Sequence, residues 1–215
     1  MAYQWGVDST QEATKELYDC VLKKYGKPKY WGRYLSTVPE VSEGLTVLEI
    51  ERLHSSGTKV MAIYNNFTEA TGYRKGKVIA QNAVFHARRL NFPKGKVLFA
   101  NVEKSFKVDE SWIRGYVEGM YSSGYQPGFS CDPTNGKFNE AFCKAASKDN
   151  KVSAQSVLCS VEPVTGVTRA RKAPKYTPAK LSCKSNVWGW QYGRDAEACP
   201  INTNLINDRL LNLLW

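Results

Sequence analysis

The chain is poor in metal ligands. Only two histidines, His54 and His86, are present, and none of the six cysteines forms a C-x-x-C pair. Zinc sites are built from closely spaced Cys and His, so no metal site is expected. Nothing in the sequence calls for a cofactor. No stretch approaches the ~20 consecutive apolar residues of a membrane-spanning helix. Met1-Ala2-Tyr3-Gln4-Trp5-Gly6 has neither the basic nor the apolar region of a secretory signal. Acids are scarce as well. Twenty Asp and Glu face 30 Lys and Arg, for a net charge of +10. That excess would draw in a polyanion such as an anionic cell wall or a nucleic acid, and it also serves plain solubility.

What is present fits a folded enzyme-sized domain. The 215 residues suit one domain spanning 1–215. A hydrophobic share of 42% with 23% charged residues supplies a full core. Six cysteines permit three disulfides, which would imply an oxidising compartment. Cys131 with Cys143 and Cys159 with Cys183 are the expected local pairs.

The first two-thirds alternate between strand and helix signals. Strands are predicted at 3–8, 30–34, 59–64, 96–100 and 125–130. Helices are predicted at 10–24, 45–55, 75–90, 110–122 and 138–146. Ser9 or Thr10 is placed to cap the first helix. The second turns Leu45, Leu48, Ile50 and Leu53 inward and closes at Gly57. The third carries Val78, Ile79, Asn82, Phe85, His86 and Arg89 along one side. Trp112, Ile113, Tyr116, Val117 and Met120 form the inner face of the fourth. After Asn150 the pattern changes. Strands are predicted at 155–161 and 187–192, with one more near Lys180–Cys183, and 204–215 reads as helix. The layout is α/β, an irregular TIM-like barrel with about five βα units followed by three strands with few helices.

Barrels place their chemistry at the C-terminal ends of their strands. The predicted strands end in Asp8, Tyr34, Tyr64 with Asn65, Asn101 with Glu103, Asp132, Glu162, and Trp190-Gln191-Tyr192. Acids, amides and aromatics at strand ends make a polar cleft with stacking faces, which suits a carbohydrate. Trp5, Trp31, Trp112, Trp188 and Trp215 are expected in the core or at its rim. His54 and His86 sit on helix faces and read as structural.

Trp5-Gly6-Val7-Asp8, Val102-Glu103 and Trp190-Gln191-Tyr192 resemble motifs of the family-25 glycoside hydrolases, the lysozyme-like muramidases. Tyr30-Trp31-Gly32-Arg33-Tyr34-Leu35, and Gly57-Thr58-Lys59-Val60 ahead of Ile63-Tyr64, are closer to the related glycoside-hydrolase-like domains. The resemblance spans nearly the whole chain. It implies a TIM-like barrel acting on peptidoglycan or a related N-acetylated glycan. In the hydrolases the fourth strand ends in D-x-E, so Glu103 matches the general acid while Asn101 stands in place of the Asp. Asp8 matches the acid of the first strand. Asn202, in Ile201-Asn202-Thr203-Asn204-Leu205, stands in place of a further Asp.

Two carboxyl groups normally flank a scissile glycosidic bond. Glu103, in an apolar setting after a buried strand, would be the proton donor. Asp8 would be the anionic partner, with Asp132 or Glu162 as outside candidates, and Asn101 would orient an N-acetyl group. Tyr34, Tyr64, Asn65, Asp132, Trp190, Gln191, Tyr192 and Asn202 would bind the sugar. The resemblance thus implies a muramidase-like glycosidase. Its alternative is a weak or inactive cell-wall glycan-binding protein, because two family acids are amides. The expected partner is cell-wall glycan or another anionic polysaccharide, met outside the cell or at the wall by a monomer. Nucleic acid is the third reading, through Arg169, Arg171, Lys172, Lys175 and Lys180. Tyr176 is the single aromatic among these cations, too few for stacking on single strands.

Overall fold

The computed structural model describes residues 3–134 and 137–215. Met1 and Ala2, the start of the segment read for an export signal, lie outside the described residues. Eight strands close into one barrel in sequence order. They are β1 (Tyr3–Asp8), β2 (Tyr30–Tyr34), β3 (Lys59–Tyr64), β4 (Val97–Val102), β5 (Gln126–Cys131), β6 (Val157–Val161), β7 (Asn186–Gly193) and β8 (Asn202–Asn207). Strands β1 to β7 are parallel, and β8 runs antiparallel between β7 and β1. Helices α1 (Lys15–Lys24), α2 (Val47–Ser55), α3 (Tyr73–Arg89) and α4 (Glu110–Ser123) follow the first four strands. After β5 come α5 (Phe138–Lys148) and the short α6 (Asn150–Gln155), and α7 (Asp208–Leu213) follows β8. This is the expected architecture of five βα units and three further strands.

Local chemistry sets the ends of these elements. The cap of α1 is Thr14, whose hydroxyl accepts from Leu17 N–H at 3.2 Å. Ser9 and Thr10 do not cap it. The Ser9 hydroxyl instead accepts from the Trp31 indole at 2.9 Å. Thr46 caps α2 and Asp109 caps α4 in the same manner. Gly57, at φ +72°, ends α2 as expected.

The interior face of α3 differs from the periodic reading. Val78 and Phe85 are exposed, while Gly76, Ala80, Ala83, Val84 and Ala87 are buried. Small residues win that face because α3 and α4 nearly touch. A Cβ on Gly76 would lie 2.2 Å from the Trp112 carbonyl oxygen, and one on Gly115 would lie 2.1 Å from that of Tyr73. Leu48 of α2 is likewise exposed, whereas Ile50 and Leu53 are buried. The inner face of α4 is buried as expected.

The eighth strand is Asn202–Asn207, not a segment near Lys180–Cys183. It takes the first residues of the stretch read as helix and leaves only α7 helical. The cysteine pairs also differ. Cys20 joins Cys199 and Cys143 joins Cys183, while Cys131 and Cys159 are free and buried. Cys159 faces the barrel interior with Tyr30, Met61 and Phe99. Cys131 faces the helix layer. Neighbouring strands thus turn these two thiols to opposite sides. Burial, then the charge of Asp8, pushes the Cys159 thiol up to about 12.

A labelling experiment checks this pattern. The native chain should take up no thiol label at pH ~8, well below where the Cys159 thiol ionises. Unfolding without reductant should expose two thiols, and unfolding with reductant all six. Reduction should also destabilise the fold. The Cys20–Cys199 link closes a loop of 179 residues. Loop-closure entropy puts its contribution at up to about 5 kcal/mol. A melting temperature lower by ~10 °C on reduction is the expected readout.

Candidate active-site cleft

Alternation along the strands selects which side chains reach the cleft. In β4, Val97 and Phe99 fill the barrel interior, so Asn101 and Glu103 continue on that face at the open end. In β3, Met61 and Ile63 point inward. In β7 only Gln191 of Trp190-Gln191-Tyr192 does so. A cleft of about 920 Å³ opens at this end of the barrel. Asp8, Tyr34, Asn101, Glu103, Asp132, Gln191 and Asn202 all line it. Seven of the eleven expected site residues are therefore brought together.

The other four lie elsewhere. Tyr64 is buried on the helix side, against Phe67 and His86. Asn65 donates to the Ser42 hydroxyl at 2.9 Å. Trp190 is 3% exposed and packs on Tyr176 and Tyr192. The Tyr192 hydroxyl accepts from the Trp5 indole at 2.9 Å. These aromatics build the wall between barrel and outer layer, and none of them lines the cleft. Glu162 is also outside the cleft. Its carboxylate accepts from Ala179 N–H at 2.6 Å, and burial pushes its acid up.

Asp8 is the most tightly held group of the site. It is buried, and three amide side chains donate to it. Gln191 Nε2 and Asn204 Nδ2 reach Oδ1 at 2.9 and 2.7 Å, and Asn202 Nδ2 reaches Oδ2 at 2.7 Å. The strands supply them directly, since Asp8 pairs with Asn202 and Gln191 with Asn204. Two amides are themselves oriented from behind. Arg194 donates to Gln191 Oε1 at 3.2 Å, and Asp195 N–H to Asn202 Oδ1 at 3.0 Å. A carboxylate has about four acceptor positions, so one on Oδ2 is left for a further donor. Gly32, opposite Asp8 on β2, leaves room for this side chain. A Cβ there would come within 2.7 Å of Asp8 Cβ.

Tyr34 faces the same space. Burial, followed by the charges of Asp8 and Glu103, pushes its phenol well above the ordinary range. It is therefore a protonated donor at neutral pH. Asp132 accepts from the backbone and hydroxyl of Thr134, at 2.8 and 2.7 Å. Glu103 is exposed at the rim of the cleft, not enclosed by apolar walls as expected. The chain continues into solvent at this point, so the end of the strand is not covered.

The sequence reading missed Asn204, Arg194, Ser130 and Lys104, all of which line the cleft. Asn204 lies two residues past Asn202, on the same strand face. Reading 202–207 as a strand would have found it.

A family model described as an Rv2525c-like, glycoside hydrolase-like domain matches residues 24–176, about 70% of the chain. The chain belongs to this family. A solved structure described as an uncharacterized B. stearothermophilus protein is 55% identical. The match covers 99% of this chain and 100% of that one, with a TM-score of 0.98. A bacterial lysozyme from Streptomyces coelicolor has 13% identity and a TM-score of 0.60, covering 99% of this chain and 97% of that one. The modular autolysin LytC from Streptococcus pneumoniae, solved with a synthetic peptidoglycan ligand, has 12% identity and a TM-score of 0.60. That match covers 95% of this chain and 47% of LytC. At such identities the shared property is the fold. A search of curated proteins finds no match. Within the Rv2525c-like family, the geometry above is what this chain offers for chemistry.

Proposed function

We propose that the cleft hydrolyses peptidoglycan or a related N-acetylated cell-wall glycan, with Glu103 as general acid. The observation that carries this reading is the convergence of Asp8, Asn101 and Glu103 at the open end of one lysozyme-like barrel. Glu103 gives its proton to the glycosidic oxygen as the bond to the anomeric carbon breaks. The acetamido oxygen of the same sugar closes on that carbon, and water then opens the ring so formed, giving its proton to the Glu103 carboxylate. Asn101 presents its amide to the acetamido group. Asp8, held by three amides, offers its remaining acceptor position to the substrate and opposes the positive charge that develops. The partner is wall glycan. The two disulfides and the lysozyme-like neighbours support an extracellular or wall-associated setting. Release of reducing ends from purified cell wall tests the reading. The native chain should release them, and Glu103→Gln should not.

One observation favours a second reading, glycan binding with little hydrolysis. Asn101 and Asn202 are uncharged, and most of Asp8's acceptor capacity is already filled. Wall pull-down that survives Glu103→Gln and weakens with Tyr34→Ala, with no ends released by the native chain, would select it. Replacing Trp190 would disturb the core and cannot serve as this test.

A further inference from the structure

The end of the barrel opposite the cleft is crowded with lysine. Strands β2, β3 and β4 all start there, and each is preceded by a Pro or Gly turn carrying Lys. The turns are Lys27-Pro28-Lys29, Gly57-Thr58-Lys59 and Pro93-Lys94-Gly95-Lys96. A backbone bond joins the first two, Lys59 N–H donating to the Lys29 carbonyl at 3.0 Å, and the Lys96 carbonyl accepts from Gln126 N–H at the start of β5 at 2.9 Å. Lys27, Lys29 and Lys94 are exposed, and Lys59 and Lys96 are half-buried. The Lys59 and Lys96 ammonium groups donate to the Leu214 and Asn212 carbonyls at the end of α7, at 3.1 and 3.2 Å. Each ammonium has three donors, so both keep capacity for another acceptor.

These charges are not neutralised from within. Among the described residues, none of the ion pairs includes any of the five. Burial, then the charge of Lys96, pushes the Lys59 ammonium down, as expected of crowded cations. The carboxylates of the cleft, Asp8, Glu103 and Asp132, lie at the other end of the strands. At the base end Asp208 accepts from Gln4 near the start of β1 and pairs with none of the five lysines, so the base carries a local excess of cations.

We propose that this base is a docking surface for a flexible, phosphate-bearing polyanion. Neighbouring strands are ~4.8 Å apart, so a chain laid across β2, β3 and β4 meets lysine at every step. Lysine suits phosphate as a compact point charge on a flexible stem. The three turns hold no large apolar side chain, so they lack the inserting group that anchors a protein to a bilayer. Held this way, the protein keeps its cleft free on the far side. This docking does not depend on what the cleft catalyses.

Titration of the full chain with long-chain inorganic polyphosphate at several salt concentrations tests the proposal. Binding should weaken steeply with salt. The triple variant Lys27→Glu, Lys29→Glu, Lys94→Glu should lose about 30-fold or more in affinity at ~50 mM salt, with a slope shallower by about two to three. The same positions changed to Gln should lose less, in the same order. If the Glu variant melts early, the Gln variant decides. A control triple, Lys15→Glu, Arg74→Glu, Lys107→Glu, makes the same charge change at the cleft end and should stay within about twofold of native. Equal loss in both triples would overturn the proposal, since net charge alone would then explain binding. No native binding would overturn it too. So would tighter binding per phosphate to phosphatidylglycerol vesicles or to duplex DNA than to polyphosphate.

Discussion

Replacing Glu103 with glutamine is expected to lower glycan hydrolysis by about 10²–10⁴-fold, the usual share of a general acid. Glutamine matches glutamate in size and can still hydrogen-bond the glycosidic oxygen. It has no acidic proton to give, so the departing sugar must leave as an alkoxide. Glu103 is exposed at the cleft rim, and its side chain makes no ion pair among the described residues. Stability should therefore change by no more than about 0.5 kcal/mol. Binding to the wall should persist, because the cleft and the Asp8 cluster stay intact. A steady-state assay on soluble wall fragments separates these effects. A fall in kcat with unchanged KM is expected. A rise in KM with unchanged kcat would make Glu103 a binding residue only.

Replacing Arg33 with methionine is expected to destabilise the protein by about 3–5 kcal/mol, because it leaves a buried charge without its partner. Arg33 and Glu49 are each fully buried and meet at 2.5 Å. The guanidinium also donates to the carbonyls of Ser9 and Thr10, at 2.9 and 3.1 Å, and of Glu43, at 3.1 Å. One side chain thus ties together the loops after β1 and β2. The first of these loops begins directly after Asp8. Glu49 also accepts from Ala13 N–H at 2.8 Å, so removing it would free the same loop. The double change Arg33→Met, Glu49→Leu removes both charges and should recover part of the loss, while the Ala13 N–H and the loop carbonyls still lack their partners. Chemical denaturation of Arg33→Met, Glu49→Leu and the double variant measures this. A single variant within about 1 kcal/mol of native would show that the pair holds nothing in place.

The parts of the fold legible in the sequence are those where side chains follow the core. Strands β1, β2 and β3 carry mostly buried aromatic and aliphatic side chains, and their predicted limits match. β8 defeated the same reasoning. Asn202 and Asn204 face inward because the open end of this barrel is a polar cleft, so the strand presents amides where a core strand would present Val or Ile. Trp190 and Tyr192 misled for the converse reason. They flank Gln191 in sequence, and the period of two sends them to the opposite face. The disulfide Cys20–Cys199 is formed across 179 residues that only barrel closure brings together. Arg33 lies inside the Tyr30–Leu35 motif, but its burial with Glu49 depends on two loops meeting above β2. Single-residue identity located the cleft, since Asp8, Asn101 and Glu103 all line it.

The most direct measurement is digestion of purified peptidoglycan in ¹⁸O-labelled water, followed by mass spectrometry of the released glycan. Hydrolysis places one water oxygen on each new reducing end. Labelled ends should appear with the native chain and be absent, or nearly so, with Glu103→Gln. No labelled ends from the native chain, or the same yield from Glu103→Gln, would contradict the assignment of Glu103 as the proton donor of a wall-glycan hydrolase.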